Sequence, residues 1–215
     1  MALAALKNLL PSFVAAADII DVGQPVILHP EEARLVESSA PKRRREFALG
    51  RRCAHLALQQ LGCDHEMIAI GPERTPTWPR TIVGSITHTS GYAAAIAARD
   101  YRLRALGVDA EREGGVRREL WHMVFDDTEI DWLLRHGSDA TLATVMFTAK
   151  EAYFKAAYPL NRRWLDFHDV RVDMKNGHFC VIVRASSEQS APDPVVIGRY
   201  AVVDGLVLTA ICVQS

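Results

Sequence analysis

Two Xaa-Gly pairs constrain the last third of the chain more than any other feature. Asn176-Gly177 in VRVDMKNGHFCVIV and Asp204-Gly205 in RYAVVDGLVLTAICV each separate two apolar, β-branched runs. Such pairs supply the positive φ angles of two-residue turns that match the twist of antiparallel strands, so each predicts a β-hairpin. Ahead of them, DATLATVMFTAKEAYFKAAYPL predicts a strong helix ending near Pro159. Residues 117–136 predict another, with Leu120, Trp121, Val124, Ile130, Leu133 and Leu134 as its apolar set.

The first half follows a similar order. HPEEARLVESSAPKRRREFALGRRCAHLALQQLG predicts two helical segments, the second running from about Pro41 to a Gly62 stop with Phe47, Ala54, Leu58 and Leu61 facing the core. A short strand, MIAI, then leads into the Pro-punctuated loop GPERTPTWPRT. IVGSITHTSGYAAAIAARD predicts two strands around a Ser-Gly turn, and LRALGVDAE a third. Helices followed by strands, twice over, predict an α+β protein of two similar-sized lobes with a boundary near 103–106.

A chain of 215 residues can bury a sizeable core. Its net charge of −1 provides no global positive field for nucleic acid. The Ala-rich start has no basic opening, and Pro11 and Asp18 interrupt it, so neither a signal peptide nor a membrane span is expected. Cys53, Cys63, Cys180 and Cys212 have no metal-finger spacing and are expected to be reduced thiols. The expectation is a soluble cytoplasmic protein.

Four local features could carry chemistry. In GVDAE, Asp109 and Glu111 are two apart on a strand and share a face. That is either a solvated strand end or an all-oxygen site for Mg²⁺. In FTAKEAYFKAAYP, Glu151 and Lys155 share a face of an otherwise apolar helix, as a surface ion pair or as a buried acid in need of a partner. In KRRREFALGRR, Arg44 and Arg51 align within about 20° on an ideal helix, either as a wet basic face or as phosphate forks. In GSITHT, His88 ends an alternating segment, either as a structural histidine or beside an anion-binding turn. No HExxH or GxSxG pattern points to a zinc or serine hydrolase.

In this order KRRREFALGRRCA, TPTWP, GSITHT, GVDAE and FTAKEAYFKAAYP resemble the 4′-phosphopantetheinyl transferase superfamily, Sfp/EntD-like type, over roughly residues 41–165. RRWLDF resembles its actinobacterial branch. The resemblance implies two α+β lobes related by a pseudo-two-fold, 1–105 and 106–215, with coenzyme A and Mg²⁺ (or Mn²⁺) in the cleft between them. It implies transfer of 4′-phosphopantetheine to a serine of acyl or peptidyl carrier proteins, by a monomer, with release of 3′,5′-ADP. A coenzyme-binding regulatory module of the same fold is the alternative.

By the same resemblance the metal site is Asp109, Ala110 through its carbonyl, Glu111 and Glu151. Glu151 is the general base, and Lys155 and His88 complete the catalytic set. The coenzyme is expected against Arg43 and Arg51, the loop residues Ile70, Gly71, Pro72, Glu73 and Arg74, then Thr87, His88, Asp109, Lys150, Glu151, Lys155 and Trp164. For the first arginine the family register favours Arg43, whereas helix phase favours Arg44. Residues 117–134, with Trp121, Met123, Val124 and Phe125, are either core or a platform for the carrier, with Arg117 and Arg118 on its rim.

Overall fold

The computed structural model describes residues 1–63, 67–184 and 195–214. Its first sheet has three antiparallel strands in the order β1 (Ala15–Ile20), β5 (Tyr92–Arg99), β4 (Ile82–Thr89). β1 follows a short helix, α1 (Ala2–Asn8), and pairs with β5 from Ala15↔Ala97 to Ile20↔Tyr92. Alanine favours neither strand nor turn, so β1 has little signature in the sequence; pairing with β5, buried from Tyr92 to Ala98, supplies what propensity does not.

The helix expected from Pro41 is α3 (Pro41–Gln60), with Pro at its first position and Gly62 (φ 67) just beyond its end. It covers one face of this sheet, and the shorter α2 (Pro30–Arg34) precedes it. Gly50 permits the close approach: a Cβ there would lie 2.9 Å from Ile86 Cγ2 on β4. MIAI forms a strand only at β2 (Ala69–Ile70), which pairs with β3 (Pro76–Thr77).

The second sheet has the order β6-β10-β9-β8-β7: β6 (Leu103–Arg112), β10 (Leu206–Gln214), β9 (Val195–Val203), β8 (His178–Val183) and β7 (Val170–Lys175). Both hairpins form where the Gly pairs predicted them, with Lys175↔His178 and Val203↔Leu206 closing the turns. The turn at 100–102 carries the chain from the first sheet to the second, so positions 105 and 106 are inside β6.

The long helix α6 (Ala140–Asn161) packs on the second sheet; Asp139 caps it by accepting from the Thr141 and Leu142 amides. It passes Pro159 and ends two residues later at Asn161, with Arg162 as a left-handed cap. A proline in the last turn costs one hydrogen bond, which tertiary packing offsets. Residues 117–136 are not one helix. A 3₁₀ turn (Arg118–Leu120) runs into α4 (Trp121–Val124), Phe125 and Asp126 separate α4 from α5 (Asp127–Arg135), and Asp126 forms a capping box with Glu129.

Among the described residues no backbone ladder joins the two sheets. Hydroxyl groups of β4 bridge them instead. Ser85 Oγ accepts the Val108 amide at 3.1 Å, and Thr87 Oγ1 accepts the Ala110 amide at 3.1 Å. Side chains on β6 alternate: Leu106, Val108 and Ala110 pack toward α1, while Ala105 packs under α6. The described residues contain no helix long and apolar enough to cross a membrane, and the four cysteines are free thiols.

Candidate active site

One cavity of about 1080 Å³ is bordered by α3, β4, α6 and the loops on either side of them. On α3, Arg43, Phe47 and Arg51 line it as an i, i+4, i+8 row. Such rows slant across a helix, which is why the phase argument for Arg44 fails. Arg43 is half-buried on the wall, whereas Arg44 points to solvent.

Arg51 is only 5% exposed. Its guanidinium lies 4.6 Å from the Phe47 ring centre, and Nη2 donates to the Ala69 carbonyl at 3.3 Å. Its Nε is buried without a hydrogen-bond partner among the described residues. Burial pushes its pKa down to about 10, against the nearby Glu32 charge, with Arg43 adding repulsion. A buried cation with an idle donor on a cavity wall is set up for an anion.

Arg43 Nη1 is 2.9 Å from His88 Nε2. A guanidinium only donates, so this ring nitrogen accepts and the proton of neutral His88 is on Nδ1. That nitrogen faces Glu46 Oε2 at 3.9 Å. Burial is the main cause that lowers the His88 pKa, and Glu46 works against it. Ile70, Gly71, Pro72, Glu73 and Arg74 form an adjoining wall, and the 74%-exposed Trp164 stands on the rim.

The carboxylates occupy β6 and α6. Asp109 and Glu111 share the face of Gly107, which lies against α6: a Cβ on Gly107 would fall 1.9 Å from the Ala152 carbonyl oxygen. That contact brings α6 onto β6 near the acids. Asp109 Oδ1 accepts from Lys155 Nζ at 2.6 Å and from Thr87 Oγ1 at 2.8 Å. Glu111 Oε1 accepts from Thr89 Oγ1 at 2.5 Å and from the Arg112 amide at 2.6 Å. Lys155 also donates to the Val108 carbonyl at 3.2 Å.

Glu151 lines the cavity with no hydrogen bond or ion pair among the described residues. Burial raises its pKa, the Asp109 charge adds to the rise, and Lys155 opposes it. Among the described residues no three metal-ligating side chains converge at binding distance. The donor chemistry nevertheless fits a hard divalent cation. All the groups are oxygens, and a dication would relieve the burial and repulsion that disfavour the Glu151 charge. The Ala110 amide is turned toward Thr87, so this residue offers its backbone edge to the seam between the sheets.

Three expected coenzyme contacts, Thr87, Asp109 and Lys150, are not on the cavity wall. Lys150 is fully buried and is not on the cavity wall. Its ammonium donates to Glu129 Oε2 at 2.7 Å, the Val124 carbonyl at 2.8 Å and the Phe167 carbonyl at 2.8 Å, which leaves no free donor. The Thr87 side chain is buried and faces β6 on alternating β4, so any contact with the coenzyme falls to its backbone beside His88. Of the expected platform, Trp121, Val124 and Phe125 are buried beneath α6, while Met123 is 58% exposed.

Sequence reasoning missed Glu46 and Glu32. Glu46 is three residues from Arg43 and so shares its helix face, a signal that was available. Glu32 is fully buried, but nothing distinguishes it in sequence from the exposed Glu31.

Comparison with known proteins identifies the family. Residues 31–98 match the family model of the 4′-phosphopantetheinyl transferase N-terminal domain, and residues 105–200 that of the 4′-phosphopantetheinyl transferase superfamily. The chain is 35% identical to 4′-phosphopantetheinyl transferase Npt of Nocardia iowensis, over 96% of its own length and 98% of that protein. It is 36% identical to 4′-phosphopantetheinyl transferase PptT of Mycobacterium tuberculosis, over 85% of this chain and 84% of the relative. Enterobactin synthase component D of Escherichia coli is 34% identical over 62% of the chain and 64% of that protein. The cationic cavity, the acids on β6 and α6, and these matches over nearly the whole length lead to one conclusion: the chain belongs to the 4′-phosphopantetheinyl transferase superfamily.

Proposed function

We propose that the chain transfers the 4′-phosphopantetheine group of coenzyme A to a serine of carrier proteins and releases 3′,5′-ADP. The observation that carries this reading is the pairing, in one cavity, of an unpartnered Glu151 carboxylate with the cationic group Arg43, Arg51 and Lys155. A binding module would use the cations but would have no need for a free carboxylate among them. No relative named above carries the name of a regulatory or binding module.

In this mechanism Arg51, Arg43 and neutral His88 take the phosphates at the nucleotide end, where guanidinium forks suit phosphate oxygens. Residues 70–74 pass the nucleotide, and Trp164 borders the pantetheine arm. Lys155, held against Asp109, directs one of its donors to the pyrophosphate. A Glu151 carboxylate oxygen takes the proton of the carrier serine. The serine oxygen then bonds to the β-phosphorus. The bond from that phosphorus to the bridging oxygen breaks, and 3′,5′-ADP leaves with the electron pair. Asp109, Glu111 and Glu151, with the Ala110 carbonyl, would hold Mg²⁺ or Mn²⁺, whose charge neutralises the pyrophosphate when bound.

The reading includes two lobes, 1–105 and 106–215, and a monomer. It also includes the cytoplasm as the place of action, in keeping with four free thiols. An acidic carrier docking beside exposed Met123 would be steered by Arg117 and Arg118. The test is to incubate the protein with coenzyme A, Mg²⁺ and an apo carrier protein and weigh the carrier. A gain of one phosphopantetheine mass is expected. No gain with acyl, polyketide and peptidyl carriers alike would overturn the reading.

A further inference from the structure

The loop wall at residues 70–74 is strained. Glu73 (φ 51) and Arg74 (φ 61) are consecutive non-glycine residues in the left-handed region. Such backbone persists only where the surroundings over-determine it. Inside the loop, the Gly71 amide donates to the Thr75 carbonyl at 2.7 Å and the Thr75 amide to the Pro72 carbonyl at 3.0 Å. These bonds close the loop on itself without tying it to the rest of the molecule.

Two contacts at the start of the loop do tie it down. Arg51 donates to the Ala69 carbonyl at 3.3 Å. One residue earlier, the Ile68 amide donates to Glu32 Oε1 at 2.8 Å. Glu32 is on α2, is fully buried, and has the same oxygen 2.9 Å from His55 Nε2 on α3. The transfer chemistry makes no use of this carboxylate. Burying it is costly unless it is hydrogen-bonded, and its two partners are the amide that opens the loop and the helix that carries Arg51.

We infer that Glu32 is a positioning residue for coenzyme A: through the Ile68 amide it fixes residues 69–74 against α3, and so fixes the wall along which the nucleotide passes. The inference rests on the coenzyme reading above. The two bonds depend on reach, since one oxygen on a side chain of glutamate length must meet both Ile68 and His55, while the Glu32 charge acts on Arg51 only through space. Glutamine keeps that length and an acceptor oxygen, whereas aspartate keeps the charge but is one methylene short.

The experiment measures steady-state transfer with coenzyme and carrier varied in turn, and coenzyme A affinity by calorimetry, for wild type, Glu32→Gln and Glu32→Asp. Glu32→Asp is expected to raise the coenzyme KM and Kd about tenfold, the scale of one buried hydrogen bond, with kcat and the carrier KM unchanged. Glu32→Gln is expected to stay within about threefold of wild type. Three results would overturn the inference: a wild-type coenzyme KM in Glu32→Asp, a loss spread equally over kcat and both KM values, or equal impairment of the two variants. If wild type binds coenzyme A but transfers nothing, the functional reading fails, and the calorimetric comparison still decides the role of Glu32.

Discussion

At the scale of single residues, burial and partners decide roles that residue type alone leaves open. His88 accepts from Arg43, so the folded protein holds it neutral, and its pKa lies below the ordinary 6.5. Below pH 6.5 the unfolded chain binds a proton there that the folded chain resists, so the contribution of His88 to stability falls as pH drops. His88→Gln should therefore flatten the dependence of melting temperature on pH between 5 and 7 relative to wild type; an unchanged slope would contradict this. Lys150 illustrates the converse. The sequence motif presents it as one of two helix lysines facing a ligand, yet its ammonium has three buried acceptors. Replacing it with methionine strands the Glu129 charge and should cost about 3–5 kcal/mol by denaturant unfolding. A loss of coenzyme affinity without a loss of stability would return Lys150 to the binding site.

At the scale of elements, the site depends on how closely two helices approach two strands. Gly50 lets α3 lie on β4, and Gly107 lets α6 lie on β6. Gly107→Ala puts a methyl group where the Ala152 carbonyl now sits, so α6 must shift away from the acids. The expected cost is about 1–3 kcal/mol of stability, with transfer falling further than stability alone explains; thermal unfolding and turnover of the same sample check both. Period and punctuation made most elements readable. The hairpins, α3, the β4–β5 pair and β6 are where hydrophobic alternation and turn residues put them. What escaped was decided by packing. β1 is alanine-rich and becomes a strand because β5 offers it an edge. The single helix expected over 117–136 breaks at Phe125, where Asp126 forms a local cap that competes with helix continuation.

For the molecule as a whole, the two sheets meet through hydroxyl groups of β4 rather than a backbone ladder, and the same seam holds Asp109 and Glu111. Structure and chemistry therefore share one line of contacts. The candidate residues on β6 and α3 were legible through the order of the family motifs, since acids two apart on a strand and arginines on one helix equally suit a solvated surface. The Glu32 and Lys150 roles were not, because burial is a property of the assembled fold. The central claim is that Glu151 removes the serine proton in the cavity that binds coenzyme A. The most direct measurement pairs carrier mass with coenzyme A calorimetry for wild type and Glu151→Gln. The account predicts that the variant binds coenzyme A within about threefold of wild type and leaves the carrier mass unchanged. Near-normal modification of the carrier by Glu151→Gln would contradict it.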